Sequence, residues 1–153
     1  HDLAICGEAE MLMFMTARAQ MVQEIIRPAL AQNQVVVCDR YTLSTAAYQG
    51  IAGDLELDSI REVAGVATGG LKPDLTFVFD LPLDEVFRRL GDTRDRMESR
   101  SEQYFEKVVR GYRQLAGDDP QSHLLDATQT IEEIQQQIRE LFIASHDVLE
   151  NQS

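Results

Sequence analysis

A chain of 153 residues with 44% apolar residues is long enough to close one hydrophobic core, and a single domain over 1–153 is expected. Its formal net charge of −12 and pI near 4.5 offer no basic footprint for duplex nucleic acid, so no nucleic-acid partner is expected. A phosphate ester would have to be held by a local cluster of arginines against a repulsive field, which makes each arginine position informative.

Cys6 and Cys38 are too few for a disulfide framework. No apolar run approaches the ~20 residues of a bilayer span, and no charged-then-apolar leader stands at the start. No membrane association and a reducing, cytoplasmic setting are the expectation.

Residues 1–7 carry no clear signal. The run 8–31 is rich in Ala, Met, Leu, Glu and Gln, which predicts a long helix that Pro28 ends or kinks. Phe14 and Arg18, four apart, share one face of it. Composition alone would place Met11, Leu12, Phe14 and Met15 in a core.

Val35-Val36-Val37-Cys38 is an unbroken apolar run and predicts a buried parallel strand over 35–38. Such a strand delivers Asp39, Arg40 and Tyr41 at its carboxyl end, where open α/β sheets bind ligands. Arg40 suits a phosphate and Asp39 a metal-bound water or hydroxyl, with a plain strand-end ion pair as the equal alternative. A short helix over 43–49 follows, with Ser44, Thr45, Tyr48 and Gln49 on adjacent faces. From the residues alone, Ser44 and Thr45 read as caps and Tyr48 as core.

After a loop at 50–53, Leu57, Ile60, Val63, Ala64 and Ala67 mark the inner face of an amphipathic helix that Thr68-Gly69-Gly70 terminates. A second buried strand is predicted at 75–81, with Asp80 capping the helix after Pro82. That helix, 83–90, opens with Asp84 and Glu85 and closes with Arg88 and Arg89, matching its macrodipole. The charged segment 91–100 follows. Tyr104, Phe105, Val108, Tyr112 and Leu115 then give a core-facing helix over 102–116, and 117–120 reads as a turn. A third short strand is expected at 123–126 and a final helix at 131–149, with Ile131, Ile134, Ile138, Leu141 and Phe142 in one stripe.

Several of these segments resemble, in order, the motifs of the thymidylate kinase family, its bacterial form in particular. Asp39-Arg40-Tyr41 is similar to the family's Asp-Arg-aromatic motif, and Leu43-Ser44-Thr45-x-Ala47-Tyr48-Gln49-Gly50 to the nucleotide-binding helix behind it. Leu12-Met13-Phe14-Met15-x-Ala17-Arg18-x-Gln20 resembles the segment whose Phe stacks on thymine and whose Arg bonds its carbonyl edge. Asp95-Arg96-x-Glu98 resembles the lid signature, which would make 91–100 a lid. Asp126-Ala127-Thr128 resembles the turn beside the adenine of ATP.

The resemblance implies an α/β, P-loop nucleoside monophosphate kinase fold, a parallel sheet flanked by helices, here without its first two strands. It implies transfer of the ATP γ-phosphoryl group to dTMP, with Mg2+ bridging the phosphates, in a homodimer. Arg40 would bind the acceptor phosphate, and Phe14, Arg18, Ser44, Thr45, Tyr48 and Gln49 the nucleoside. Asp39 would organise the phosphate and metal region without necessarily touching the metal. Arg94 and Arg96 are the lid arginines nearest the family pattern. The family commonly spaces its lid arginines at every second position, whereas here Arg88-Arg89-Leu90-Gly91 comes first, so which one reaches the γ-phosphate stays open. Arg94, Asp126, Ala127 and Thr128 would meet ATP.

No Walker A sequence, Gly-x-x-x-x-Gly-Lys-Ser/Thr, occurs in the 153 residues, and the first residue is His1. The expectation is the carboxyl-terminal part of a longer kinase. The alternatives are a catalytically silent dTMP-binding protein and a related deoxynucleotide or deoxynucleoside kinase.

Overall fold

The structure, a computed structural model, describes residues 5–90 and 101–150. The chain divides into two compact units, His1–Lys72 and Pro73–Ser153.

The first unit is helical. Helix α1, Gly7–Met21, carries Glu8 and Glu10 in its first turn, where acidic groups suit the helix dipole. It runs through a π-helical turn, Val22–Ile26, into the four-residue α2, Arg27–Leu30. This is how the chain accommodates Pro28: the Arg27 N–H bonds back to the Val22 carbonyl, and the proline sits in the first turn of α2, where a missing N–H is least felt. Asn33 then turns into the left-handed region at φ 56°, which asparagine tolerates better than most residues.

A second helical run mirrors the first. The short α3, Thr42–Thr45, passes into a π-helical segment, Ala46–Ile51, where the Ala52 N–H reaches the Ala47 carbonyl at 3.0 Å. The helix expected over 43–49 is therefore present but wound more loosely from Ala46 onward. Helix α4, Leu57–Thr68, ends at Gly69, whose φ of +58° supplies the left-handed cap; the Gly70 N–H bonds to the Gly65 carbonyl at 3.0 Å. Ile60 and Ala64 of α4 pack on Met11 and Met15 of α1, with Leu55, Val63 and Ala67 around them. Ile60 is 2% exposed, and burying such a side chain contributes about 1.5–3 kcal/mol.

The valine run does not form the expected strand. Residues 35–38 lie in no ladder, and Val35 and Val37 are 72% and 94% exposed. An apolar run becomes a buried strand only when neighbours pair its N–H and C=O groups, and the described residues of this unit contain no strand to do so. Cys38 is likewise exposed rather than buried.

The second unit is α/β. Strands β1, Thr76–Asp80, and β2, Ser122–Asp126, pair in parallel with Thr76 opposite Ser122 and Asp80 opposite Asp126. Both strands thus end on a carboxylate at the same level. Buried Val78 and Leu125 belong to the strands, while helix α6, Glu102–Gly117, buries Phe105, Val108, Leu115 and Ala116. Phe105 meets Phe87 of helix α5, Leu83–Leu90, edge-to-face at 5.7 Å between ring centroids. Ser101 caps α6 by accepting the Tyr104 N–H at 3.3 Å.

Two expectations change here. Asp80 turns to Arg113 of α6 rather than to the helix after Pro82: the Arg113 Nε donates to both its oxygens, at 2.9 and 3.0 Å. The guanidinium brings a full positive charge to the carboxylate, where a cap would bring only backbone N–H groups. In helix α7, Ile131–Glu150, Ile134, Ile138 and Leu141 are half-buried, but Ile131 and Phe142 remain 75% and 42% exposed. The stripe is wider than the face a two-stranded sheet offers it. The segment 91–100, with Arg94 and Arg96, lies outside the described residues.

Candidate functional site

The first unit brings together most of the residues singled out in α1 and in the 41–49 segment. Arg18 is 7% exposed, an unusual place for a guanidinium. Its Nη1 donates to the Thr45 hydroxyl at 3.0 Å and contacts the Met15 sulfur at 3.4 Å. The guanidinium carbon lies 5.5 Å from the centroid of the Tyr41 ring, within cation–π range. Burial pulls the Arg18 pKa below the ordinary arginine value, partly offset by Tyr41, but an arginine stays charged in a protein. Its Nε is buried with no hydrogen-bond partner, so one strong donor is left to be satisfied.

Phe14, one turn before Arg18, is 42% exposed and not part of the core. A core packing role for it is thereby excluded, whereas Met11 and Met15 are core as their composition suggested. Thr45 and Gln49, one turn apart, are both buried, at 2% and 3% exposure. The Gln49 Nε2 donates to Glu10 Oε1 of α1 at 2.8 Å. Thr45 is therefore a partner of Arg18 and not a helix cap; α3 is entered from Tyr41 without any side-chain cap. Ser44 is half-buried, and its N–H bonds to the Tyr41 carbonyl at 3.2 Å.

Tyr41 anchors the turn. Its hydroxyl donates to the Leu71 carbonyl at 3.1 Å, and burial pushes its phenol pKa up. Before it, Asp39 and Arg40 are exposed. Arg40 has φ of 63°, a left-handed conformation that is strained for a long side chain. It places the guanidinium carbon 5.3 Å from the centroid of the half-buried Tyr48 ring. Strain of this kind concentrates where a side chain must be aimed.

In the second unit, Asp126 Oδ1 accepts from the Thr128 N–H at 2.9 Å and from its hydroxyl at 2.6 Å. These two bonds hold the Asp126 carboxyl below its ordinary pKa. Ala127 is buried; its N–H bonds to the Asp80 carbonyl at 2.9 Å and its own carbonyl accepts from Arg89 at 3.1 Å. Arg89 is in turn bound by Glu85, which also takes a bidentate pair from Arg88. The turn at 126–128 is thus fixed by its own hydrogen bonds and by α5, with Asp126 and Thr128 exposed on either side of buried Ala127.

The sequence profile of the family described as "Thymidylate kinase" matches residues 4–138. The chain belongs to the thymidylate kinase family. It is 46% identical over 120 residues to a thymidylate kinase of Desulforudis audaxviator, covering 78% of this chain and 54% of that protein. Over 145 residues it is 41% identical to a thymidylate kinase of Desulfovibrio desulfuricans, covering 88% of this chain and 67% of that protein. The corresponding figures for a Roseiflexus thymidylate kinase are 43% identity over 145 residues, 85% and 64%. The chain therefore spans between 54% and 67% of the length of these curated relatives. A crystal structure of thymidylate kinase from Ehrlichia chaffeensis superposes with a TM-score of 0.71 at 22% identity, over 92% of this chain and 66% of that one, which establishes the nucleoside monophosphate kinase fold.

The contacts of two members of this cluster escape a reading of the sequence. Glu10 reads as an ordinary first-turn acid, yet it is 6% exposed and bonded to Gln49. The signal was present in its spacing: Glu10, Phe14 and Arg18 recur every fourth residue on one stripe. Tyr41 was visible as part of a motif, but nothing local tells that its ring faces Arg18 and its hydroxyl closes on Leu71.

Proposed function

We propose that the protein carrying this chain is a thymidylate kinase that transfers the γ-phosphoryl group of ATP to dTMP, giving dTDP and ADP. The observation that carries the reading is Arg18: a buried, charged side chain, anchored on Thr45, with an unsatisfied Nε and an exposed aromatic ring one turn away. A thymine ring stacked on Phe14 would offer a carbonyl to that donor.

Arg40, tethered over Tyr48, binds the acceptor phosphate, and Ser44, Tyr48 and Gln49 line the nucleoside. The acceptor phosphate attacks in line, so no protein nucleophile is required and catalysis comes from positioning and charge neutralisation. Arg94 and Arg96 bring positive charge over the transferred group, and Arg94 with the main chain at Asp126, Ala127 and Thr128 meets ATP. Among the described residues no cluster of three or more His, Cys, Asp and Glu side chains could hold a metal. Mg2+ would be held mainly by the phosphates of the substrates, with Asp39 organising the region around it. When bound, the ion neutralises charge on the phosphates. A cytoplasmic homodimer, as the family resemblance implies, is the assembly and location proposed. Among the described residues no helix is long and apolar enough to cross a membrane.

The test is thermal unfolding of the chain with dTMP, against dCMP and dAMP. A melting temperature raised by dTMP alone, growing with the logarithm of its concentration, supports the site. A cooperative melt indifferent to dTMP overturns it.

A further inference from the structure

Helix α1 presents Glu10, Phe14 and Arg18 on one stripe, and the outer two are tied to the facing helical run by buried polar rungs. Arg18 donates to Thr45, and Gln49 donates to Glu10. The earlier residue of α1 pairs with the later residue of the facing run, so the two segments run antiparallel, with Phe14 between the rungs in sequence. Glu10 and Gln49 are 6% and 3% exposed.

An acid is expensive to bury and is kept where it does something a neutral group would not. A side-chain amide has a donor end and an acceptor end of nearly the same shape, whereas a carboxylate only accepts. Glu10 therefore dictates which end of Gln49 faces it. The Nε2 is committed to Glu10, and the Oε1 is the end that remains for a ligand.

We propose that Glu10 is a positioning residue: it locks the Gln49 amide with its carbonyl oxygen as the available acceptor, so that the site takes a base edge bearing a ring N–H and refuses one bearing a bare ring nitrogen. The inference rests on the nucleoside-monophosphate reading of this site. Thymine and uracil present N3–H between two carbonyls; cytosine presents N3 as an acceptor beside an amino group. Arg18 supplies a donor and the locked Gln49 an acceptor, which together fit an imide edge. Glu10→Gln keeps size and removes the lock, because the new amide at position 10 either donates or accepts and Gln49 then turns both ways.

Isothermal titration of the chain with dTMP, dUMP and dCMP reads this directly. Wild type binds dTMP and dUMP in preference to dCMP. In Glu10→Gln the dTMP-to-dCMP affinity ratio falls about tenfold, the worth of one hydrogen bond. The double variant Glu10→Gln/Gln49→Glu restores it, because the amide at position 10 donates to a carboxylate at 49 that still offers only acceptors. A ratio within twofold of wild type in Glu10→Gln overturns the positioning role while leaving the site intact. Absence of any preference for dTMP in wild type overturns the reading of the site, and the inference with it. If Glu10→Gln does not fold, the double variant decides: it keeps the pairing in reversed sense, and loss of the preference there counts against the proposal.

Discussion

Arg18 reaches from α1 to the Thr45 hydroxyl, donating through Nη1 at 3.0 Å, while its Nε stays buried and unpartnered. The hydroxyl thus serves as a fixed point that aims a charged donor. Thr45→Val keeps the shape and removes the acceptor, leaving a second buried donor unmet. The expected loss of stability is about 1–3 kcal/mol, measured by urea unfolding. dTMP affinity falls in the same variant because Arg18 is no longer held. A variant as stable and as tight-binding as wild type would show that Arg18 is positioned by Tyr41 and Met15 instead.

Arg40 sits at φ 63°, and Arg40→Gly and Arg40→Ala separate the backbone from the side chain. Both remove the guanidinium, so both weaken binding of the monophosphate and leave thymidine binding nearly unchanged. Glycine alone relieves the left-handed conformation, by about 1 kcal/mol relative to alanine. Arg40→Gly should therefore melt higher than Arg40→Ala while binding dTMP equally poorly. Equal melting temperatures would mean that the turn relaxes when the side chain is lost.

These two residues also show what was legible in advance. Arg18 and Arg40 stood out because helical spacing and motif context are local, and local patterns survive translation into structure. The helices, both parallel strands of the second unit and the Gly69 cap were legible for the same reason. Val35–Cys38 failed because burial of a strand is decided by what lies beside it, and the run itself carries no record of its neighbours. Asp80 was misread as a cap since Arg113 lies 33 residues away in sequence. Glu10 was overlooked because its partner, Gln49, is on another helical segment.

Gly53 gives a prediction about the support of Gln49. A Cβ there would stand 2.7 Å from the Gln49 carbonyl oxygen and 3.1 Å from its Cα, both main-chain atoms that cannot swing aside. Gly53→Ala should destabilise the chain by about 1–3 kcal/mol and weaken dTMP binding beyond what the stability loss explains, since Gln49 is pushed from its place. Gly65, where a Cβ meets nothing within 4 Å on an exposed turn of α4, is the control. Gly65→Ala should be neutral or slightly stabilising through helix propensity. Thermal melts and dTMP titrations of the pair decide it, and equal behaviour of the two variants would refute the steric account.

Glu85 accepts from Arg88 and Arg89, and these bonds hold its carboxyl down to about 2. A depressed folded-state pKa means that the ionised form favours the native state. The contribution is complete above the unfolded value of about 4.3 and is lost as pH falls from there toward 2. It is a modest effect, because the pair is exposed to solvent and screened by salt. Its structural reach is longer: protonating Glu85 frees Arg89, whose other bond is to the Ala127 carbonyl beside the Asp126–Thr128 turn. NMR titration should therefore show Glu85 titrating near 2, with the Ala127 amide resonance shifting in the same step, whereas the Thr128 amide follows its own acceptor, Asp126. In Glu85→Gln that step should vanish, and the Ala127 region should resemble acidified wild type already at neutral pH. An Ala127 resonance that ignores both changes would mean that the Asp80 carbonyl, bonded to its N–H, holds the turn without help from α5.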